Sequence, residues 1–385
     1  MKRGWALSLK KNNGSSNKIL GIKYKYSKMS TLSTLRKYFR KYRLDSEAKK
    51  GGAKVEQPSL KSKLLEEAAI ERGLTVKRIT PRIVMVDLTG NGHFVSFNQM
   101  NGPSSSVVNR ELLDNKMAHR AILAANGISV AKSKAFFYSQ REEAFKFAES
   151  LSFPVVVKPM GLSRSRGVTL NINDRKSFDT AFTNAAIISE GINPELIVEK
   201  QFMGKVYRLI IMGDEVLLAQ LQERANVVGD GKSTILEIIN RKNEIRKENW
   251  YIKGKEIPTD ISKLNTLVAN NISLDYVPKL NEHLYLINEN YPEKGGEIVV
   301  LTEKAHESFK QIAFKAVKLI PQLMYAGVDL LTPDISQEAT PDNYIVGELE
   351  YAPGPSANYA TEGERVNLAA HILDYYIKNK EKYTG

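Results

Sequence analysis

At 385 residues, 42% hydrophobic and 26% charged, the chain has the makeup of a soluble globular protein long enough for two or three domain-sized units. It has no cysteine, which excludes disulfides, thiolate catalysis and thiolate-bound metals, and its five histidines (93, 119, 283, 306, 371) lack the spacing of a zinc site. The net charge of +13 belongs to an arm: residues 1–50 carry fifteen Lys/Arg against Asp45 and Glu47, so the remainder sums to zero.

Residues 1–28 are rich in Lys, Asn and Ser and read as poorly ordered or partner-dependent, with Met29 a candidate alternative start. From Ser30 to Leu44 the spacing of Leu32, Leu35, Phe39 and Tyr42 predicts a basic amphipathic helix. Such a helix suits a membrane surface or an acidic partner, and equally suits docking on its own protein or at a dimer interface. No aromatic-rich sheet or recognised binding motif accompanies the charge, so nucleic acid is not the expected partner. No apolar run reaches the length of a membrane span and no signal-peptide pattern opens the chain, so a cytoplasmic location is expected. Gly51-Gly52 and the polar stretch to Ser59 read as a linker.

Beyond it, the pattern predicts a helix over Leu60–Arg72 ended by Gly73, then strands at Thr75–Ile79, Ile83–Leu88 and His93–Phe97, with Thr89-Gly-Asn-Gly as a turn. Asn101–Ser106 reads as a loop and Glu111–Asn126 as one helix closed by Gly127. Lys116 falls inside that helix, where a lone lysine is ordinarily a solvated face residue. A helix is expected around Arg175–Ala186, then strands at Leu196–Glu199, Tyr207–Met212 and Glu215–Gln220, the last two joined by a Gly213-Asp214 turn. Gly229–Ser233 is a tight turn before a helix at Thr234–Ile245, and residues 247–300 read as loop-rich. An amphipathic helix at Glu303–Leu323, strands at Val328–Leu331 and Tyr344–Glu350, and a closing helix at Val366–Ile377 complete the pass.

Two stretches carry chemistry. In Phe153–Val168 the run Val155-Val156-Val157 reads as a buried strand that delivers Lys158, and Pro159 stops it. A polar loop bounded by Gly161 and Gly167 follows, holding Ser163 and Ser165. Glycines that let a backbone approach, amides that point at oxygen and a lysine point charge suit a polyphosphate. The same residues suit a polar surface hairpin beside a core strand. The second stretch holds Asp329 in GVDLL, with Glu348 and Glu350 in VGELEYAPG. Residues i and i+2 of a strand face the same side. Two carboxylates on one face of an apolar strand repel unless a cation holds them, and Mg²⁺ with nucleotide phosphates fits such oxygens. Surface lysines could satisfy them instead.

The order Lys116, Lys158 with its loop, Glu199, then Asp329, Glu348 and Glu350 resembles the ATP-grasp superfamily, in the branch of cyanophycin synthetase and the ligase domain of bifunctional glutathione synthetases. The resemblance runs from about Leu60 to Ile377 through NKMAHRAILAANGI, FPVVVKPMGLSRSRGVT, LIVEKQFMGKVYRLII, VVGDGKSTILEII, GVDLL, GELEYAPG and ATEGERVNLAAHILDYYI. It implies a mixed α/β (α+β) ATP-grasp fold, two subdomains clamping ATP behind a small N-terminal domain. The expected divisions are 1–58 (basic arm), 59–128 (pre-ATP-grasp domain), 129–200 (phosphate loop) and 201–385 (metal and substrate site).

By that resemblance Lys116 and Lys158 would hold ATP phosphates, and the loop with Gly161, Ser163, Ser165 and Gly167 would close over them. Glu199 would accept from the adenine amino group, with the backbone of Lys200, Gln201 and Phe202 completing the hinge. Asp329, Glu348 and Glu350 would bind Mg²⁺, two ions, with Mn²⁺ as the alternative. The implied reaction is ADP-forming: a carboxylate takes the γ-phosphoryl group and an amine displaces phosphate. Phosphoryl transfer asks a protein for positioning and charge neutralisation, which lysines, amides and metal ions supply.

Departures from the family pattern qualify the expectation. The position of the usual ribose-binding acid is Val206, and the third metal position, usually Asn, is Glu350. The Arg-Arg-x-Pro-Ala stretch is replaced by Leu221-Gln-Glu-Arg-Ala225, leaving Arg208 and Arg224 as the candidates, beside Lys158, for catalytic cations. Pro355-Ser-Ala-Asn358 stands where cyanophycin synthetases have Leu-Arg-Met-His, so the expected substrate is not cyanophycin. The Mur-ligase-like and glutamate–cysteine ligase halves of those relatives are missing, so a stand-alone ligase is expected. It would act on an amino acid, a peptide, or an acidic peptide or carrier protein drawn by the basic arm, with a homo-oligomer left open because such relatives are often dimers or tetramers. The competing readings are phosphotransfer or acyl-thioester formation on the same scaffold, and a non-catalytic ATP-binding module recruited by the arm.

Overall fold

The computed structural model of the chain describes residues 57–162, 166–189, 191, 193–249, 252–288 and 295–384. The basic arm and the helix expected at Ser30–Leu44 lie outside them. Helix α1 (Leu60–Glu71) begins where the Ser59 side chain accepts from the Ser62 amide, and the chain leaves it through Gly73 at φ +70°. Strands β1 (Thr75–Arg78), β2 (Ile83–Asp87) and β3 (Phe94–Asn98) form an antiparallel sheet in sequence order.

The single helix expected over Glu111–Asn126 is two: α2 (Val107–Asp114) and α3 (Lys116–Ala125). Asn115 breaks the chain direction with an extended backbone and caps α3, its side chain accepting from the amides of Met117 and Ala118. Lys116 therefore opens a helix, and it is buried, at 8% exposure, where a solvated face residue was expected.

Strand β4 (Ser133–Phe137) and helix α4 (Arg141–Ser150) were not anticipated. They join β5 (Val155–Pro159), β6 (Thr169–Ile172), α5 (Arg175–Ser189) and β7 (Glu195–Lys200) in a four-stranded antiparallel sheet of order β4-β7-β5-β6. One face packs Phe136, Val155, Val157, Leu196 and Val198 against Phe178, Phe182 and the alanines of α4 and α5. Each fully buried phenylalanine there contributes about 2–3 kcal/mol. Strand alternation then turns Lys158 and Glu199 to the opposite face.

A five-stranded sheet of order β12-β9-β8-β13-β14 is built from β8 (Lys205–Met212), β9 (Glu215–Glu223), β12 (Glu297–Val300), β13 (Tyr325–Thr332) and β14 (Ile345–Glu350). On one face Leu209, Ile211, Ala326, Val328 and Leu330 pack on α8 (Glu307–Lys318), which is shorter at both ends than the helix expected over Glu303–Leu323. On the other face Ile210, Met212, Leu218 and Tyr325 pack on α9 (Leu368–Lys378) and, beyond it, on α1. Arg72 at the end of α1 donates to both oxygens of Asp374 on α9 at 2.6 and 2.7 Å, tying the first helix to the last.

Between β9 and β12, the stretch expected to be loop-rich has a core of its own. Strands β10 (Asn226–Val228) and β11 (His283–Tyr285) pair antiparallel, and helices α6 (Ile235–Glu248) and α7 (Asn265–Ala269) bury Ile235, Ile239 and Leu267 with Val227 and Leu286. Thr234 and Glu237 close a capping box at the start of α6. Among the described residues no helix is long and apolar enough to cross a membrane.

Candidate functional site

The site lies where the inner face of the four-stranded sheet, helix α3 and edge strand β14 meet. In the ladder Val156 lies opposite Glu199 and Lys158 opposite Ile197, which sets Lys158 and Glu199 diagonally on one face. The Lys158 ammonium donates to both Glu199 oxygens, at 2.9 and 2.8 Å. Sequence reading missed the third member. Arg120 of α3 donates through Nη1 to Glu199 Oε2 at 2.6 Å, and through Nε and Nη2 to the Gly347 carbonyl at 2.9 and 2.6 Å. These side chains are 4–12% exposed, so water screens the cluster little.

Burial by itself would raise the Glu199 carboxyl, but the charges of Lys158 and Arg120 outweigh it and hold the carboxyl below its ordinary range. Burial pushes the Lys158 ammonium down, and sharing Glu199 with Arg120 leaves it under-compensated. Two cations on one carboxylate are a cluster with positive charge in excess, and an anion is its natural complement.

One turn earlier on the same helix face, Lys116 donates to the Leu162 carbonyl at 3.2 Å and to Glu348 Oε1 at 3.1 Å. A register shift makes the second contact possible: Asp329 pairs with Glu348 while the next residue, Leu330, pairs with Val346. Gly347 is thus the extra residue of a β-bulge. The bulge leaves Gly347 without a partner in that register and turns Glu348 and Glu350 to the face that Asp329 occupies.

Asp329 also lies opposite Arg208 of β8, whose Nε and Nη2 donate to its two oxygens at 2.6 and 2.7 Å. Burial would lower the Arg208 guanidinium, but Asp329, Glu350 and Glu348 raise it, so it stays charged. A Cβ at Gly327 would sit 3.3 Å from Arg208 Cδ, Glu350 Cβ and Pro353 Cβ, so glycine there leaves room for the Arg208 stem. Behind the cluster, His119 is fully buried; burial, with Arg120 and Lys116 nearby, pushes its pKa down to about 4 and keeps it neutral.

The structure thus brings Lys116, Lys158 and Glu199 together with Glu348, and sets Arg208, Asp329 and Glu350 on the adjoining strand face. The other expected residues divide. Gly161 is exposed, and Gly167, at φ +73°, turns the chain back toward β6. Ser163 and Ser165 lie outside the described residues. Lys200 points its ammonium at the Ser152 carbonyl (2.7 Å) and its amide at the Lys132 carbonyl (2.9 Å). Gln201 bonds Asn171 with its side chain and the Pro154 carbonyl with its amide. Two of the three hinge amides are thus already engaged, and Phe202 follows them half-buried. Arg224 stands apart, its guanidinium stacked 3.6 Å above the Tyr285 ring of β11. Among the described residues no group of three or more His, Cys, Asp or Glu is gathered closely enough to hold a metal ion. The donor chemistry of Glu348, Glu350 and Asp329 is nonetheless carboxylate oxygen alone, which fits a hard cation.

Residues 114–216, which include Lys116, Arg120, Lys158, Glu199 and Arg208, match the family described as the carbamoyl-phosphate synthase L chain, ATP binding domain. The chain is 28% identical over 328 residues to the glutathione biosynthesis bifunctional protein of Clostridium perfringens, covering 83% of this chain and 41% of that one. It is 29% identical over 273 residues to the cyanophycin synthetase of Geminocystis herdmanii, covering 70% and 31%. The crystal structure of a bifunctional glutathione synthetase from Pasteurella multocida superposes with a TM-score of 0.65 at 23% identity, over 85% of this chain and 45% of that one. The chain spans less than half the length of these relatives. The match over residues 114–216 is to an ATP-binding domain, and the mixed α/β fold is the one this chain shares with that crystal structure.

Proposed function

We propose that this chain is an ATP- and Mg²⁺-dependent ligase that joins a carboxylate to an amine through an acyl-phosphate, on an amino acid, a peptide or a peptide-like carrier. The observation that carries the proposal is the convergence of Lys116, Arg120 and Lys158 on Glu199 and Glu348, with Glu350 two residues further along the same strand face. Its divisions would be a lead-in domain over 59–128, a phosphate-loop subdomain over 129–200, and a metal and substrate subdomain over 201–385.

In this reading Lys116 and Lys158 hold phosphate oxygens while Glu199 accepts from the adenine amino group. Adenine offers a donor at N6 beside an acceptor at N7, whereas guanine offers two acceptors there, so a buried carboxylate favours adenine. Bound by Glu348, Glu350 and Asp329, Mg²⁺ would supply charge neutralisation on the phosphates. An oxygen of the substrate carboxylate attacks the γ-phosphorus, and the bond to the bridging oxygen breaks, its electron pair leaving with ADP. The amine then attacks the acyl carbon, the carbon–oxygen bond to phosphate breaks, and the amine loses a proton as phosphate departs. Neither step needs a side-chain nucleophile. Arg208 is charged and fixed on Asp329, which suits it to the negative charge of the acyl-phosphate. Arg224, on its aromatic shelf, suits a carboxylate of the incoming substrate.

The test is phosphate release from ATP and Mg²⁺ with pooled amino acids and short acidic peptides, followed by mass spectrometry. Release that requires both a carboxylate and an amine, with a product one water lighter than its parts, is the expected result. Release without an amine would replace ligation by phosphotransfer or thioester chemistry. ATP binding with no turnover on any pool or carrier would mark a non-catalytic module.

A further inference from the structure

Arg120 belongs to the cluster that carries the proposal above, yet nucleotide and metal binding as described there give it no task of its own. It is buried, at 4% exposure, and its guanidinium is divided between two sheets. One arm is on the Glu199 carboxylate of β7, and the other two donors are on the carbonyl of Gly347, the bulge residue of β14. Lys116, four residues earlier, repeats the pattern with the Leu162 carbonyl on one side and Glu348 on the other. The i, i+4 spacing puts both cations on one face of α3, so this helix ties β7 and the loop after β5 to two successive residues of β14.

Lys158 is committed to Glu199 through both carboxylate oxygens. To hold a phosphate it must give up part of that bond, and a buried carboxylate that loses its only counter-ion is strongly disfavoured. Arg120 removes the difficulty, because its bond to Glu199 is independent of Lys158 and its other two donors hold it in place from the opposite sheet.

We propose that Arg120 is the positioning residue of the nucleotide site: it keeps Glu199 oriented toward the base when Lys158 turns to phosphate, and it fixes the base-reading strand β7 against the bulge of β14. This inference rests on the adenine-nucleotide reading given above.

The experiment is calorimetric titration of the full chain with ADP and with GDP, both with Mg²⁺, for wild type, Arg120→Met and Arg120→Lys, alongside melting temperatures. Methionine fills the volume but donates nothing. It should weaken ADP by roughly ten- to hundredfold, the worth of one charge-assisted hydrogen bond, and contract the ADP-over-GDP preference by about tenfold. Lysine can reach Glu199 but cannot also make two bonds to Gly347. It should keep the preference while melting lower. A merely structural arginine predicts the reverse pattern, with melting lowered in both variants and the ADP/GDP ratio unchanged, and that result overturns the proposal. Should Arg120→Met fail to fold, the lysine variant decides, since loss of the preference there removes the role assigned to the Glu199 bond. If the wild type binds neither nucleotide, the adenine reading falls first and this inference falls with it.

Discussion

Replacing Glu199 by Gln removes one negative charge from beneath two buried cations. Lys158 and Arg120 then face a neutral amide whose NH₂ is itself a donor, so at least one cation loses its partner. Breaking a buried ion pair from one side costs about 3–5 kcal/mol. The compact unit Pro58–Gly385 has about 330 residues, and at about 2.1 cal/mol/K per residue its unfolding entropy is roughly 0.7 kcal/mol/K. The melting temperature should therefore fall by about 4–7 °C. The same excess of positive charge gives a second sign: phosphate at 50–100 mM, roughly, should raise the variant's melting temperature more than the wild type's, because an anion now supplies what the carboxylate did. Glu195→Gln, at the exposed start of the same strand, is the control and should change little. Differential scanning fluorimetry with and without phosphate reads both effects. A Glu199→Gln protein that melts within about 1 °C of wild type, or no lower than Glu195→Gln, would refute the argument that this cluster is held by charge.

Glu348→Gln should lower phosphate release by about a hundredfold or more, yet leave stability within about 1 kcal/mol, because the Glu348 carboxylate is one-third exposed. Coupled turnover and melting assays on one preparation separate the two. His119 is neutral in the fold, with its pKa near 4 against an ordinary 6.5. The unfolded chain therefore binds the extra proton first: the stability is fully present above pH 6.5 and lost as pH falls toward 4, by about 3 kcal/mol in all. Thermal melts of wild type and His119→Leu across that window should differ in slope, and parallel curves would sink the assignment. Gly204 precedes β8, and a Cβ there would lie 2.8 Å from the Thr332 carbonyl carbon and 3.0 Å from its nitrogen and oxygen. These are backbone atoms with little freedom to yield. Gly204→Ala should cost about 1–3 kcal/mol, read as a lower denaturation midpoint with unchanged slope.

How far the sequence foretold the fold depended on what each signal measures. Local period and punctuation were enough for β1 to β3, for β8 and β9 around Gly213, and for the α6 start at Thr234. They failed where two elements share one period. Leu112 and Leu113 in α2 and Ile122 and Leu123 in α3 keep helical spacing across Asn115, so the pair reads as one helix although the asparagine is a cap in mid-pattern. The region 247–300 failed for another reason. Its hydrophobic residues are spread over several short elements and meet only in space, as when Ile257, Leu264, Leu267 and Leu286 pack with Ile235 of α6. No window of adjacent residues contains that core.

The site shows the same division. Lys158 and the Glu348/Glu350 pair could be named because each sits on a strand whose period fixes its face, whereas Glu199 was named by the resemblance to the ATP-grasp superfamily. Arg120 could not, because its contacts reach two distant strands and a bulge that no period announces. Two signals were present and went unused. A glycine at 347, in the middle of a strand, is where a sheet admits an extra residue and frees a carbonyl. Lysine and arginine at 116 and 120 are spaced to share a helix face just after a capping asparagine, which makes that face the start of a helix aimed at something rather than the middle of one facing water. Taken together they place a basic helix face against an irregular acidic strand. An arginine, with five N–H donors in a planar fork, is better suited to that junction than a lysine, since it can satisfy a carboxylate and a carbonyl from opposite sides at once.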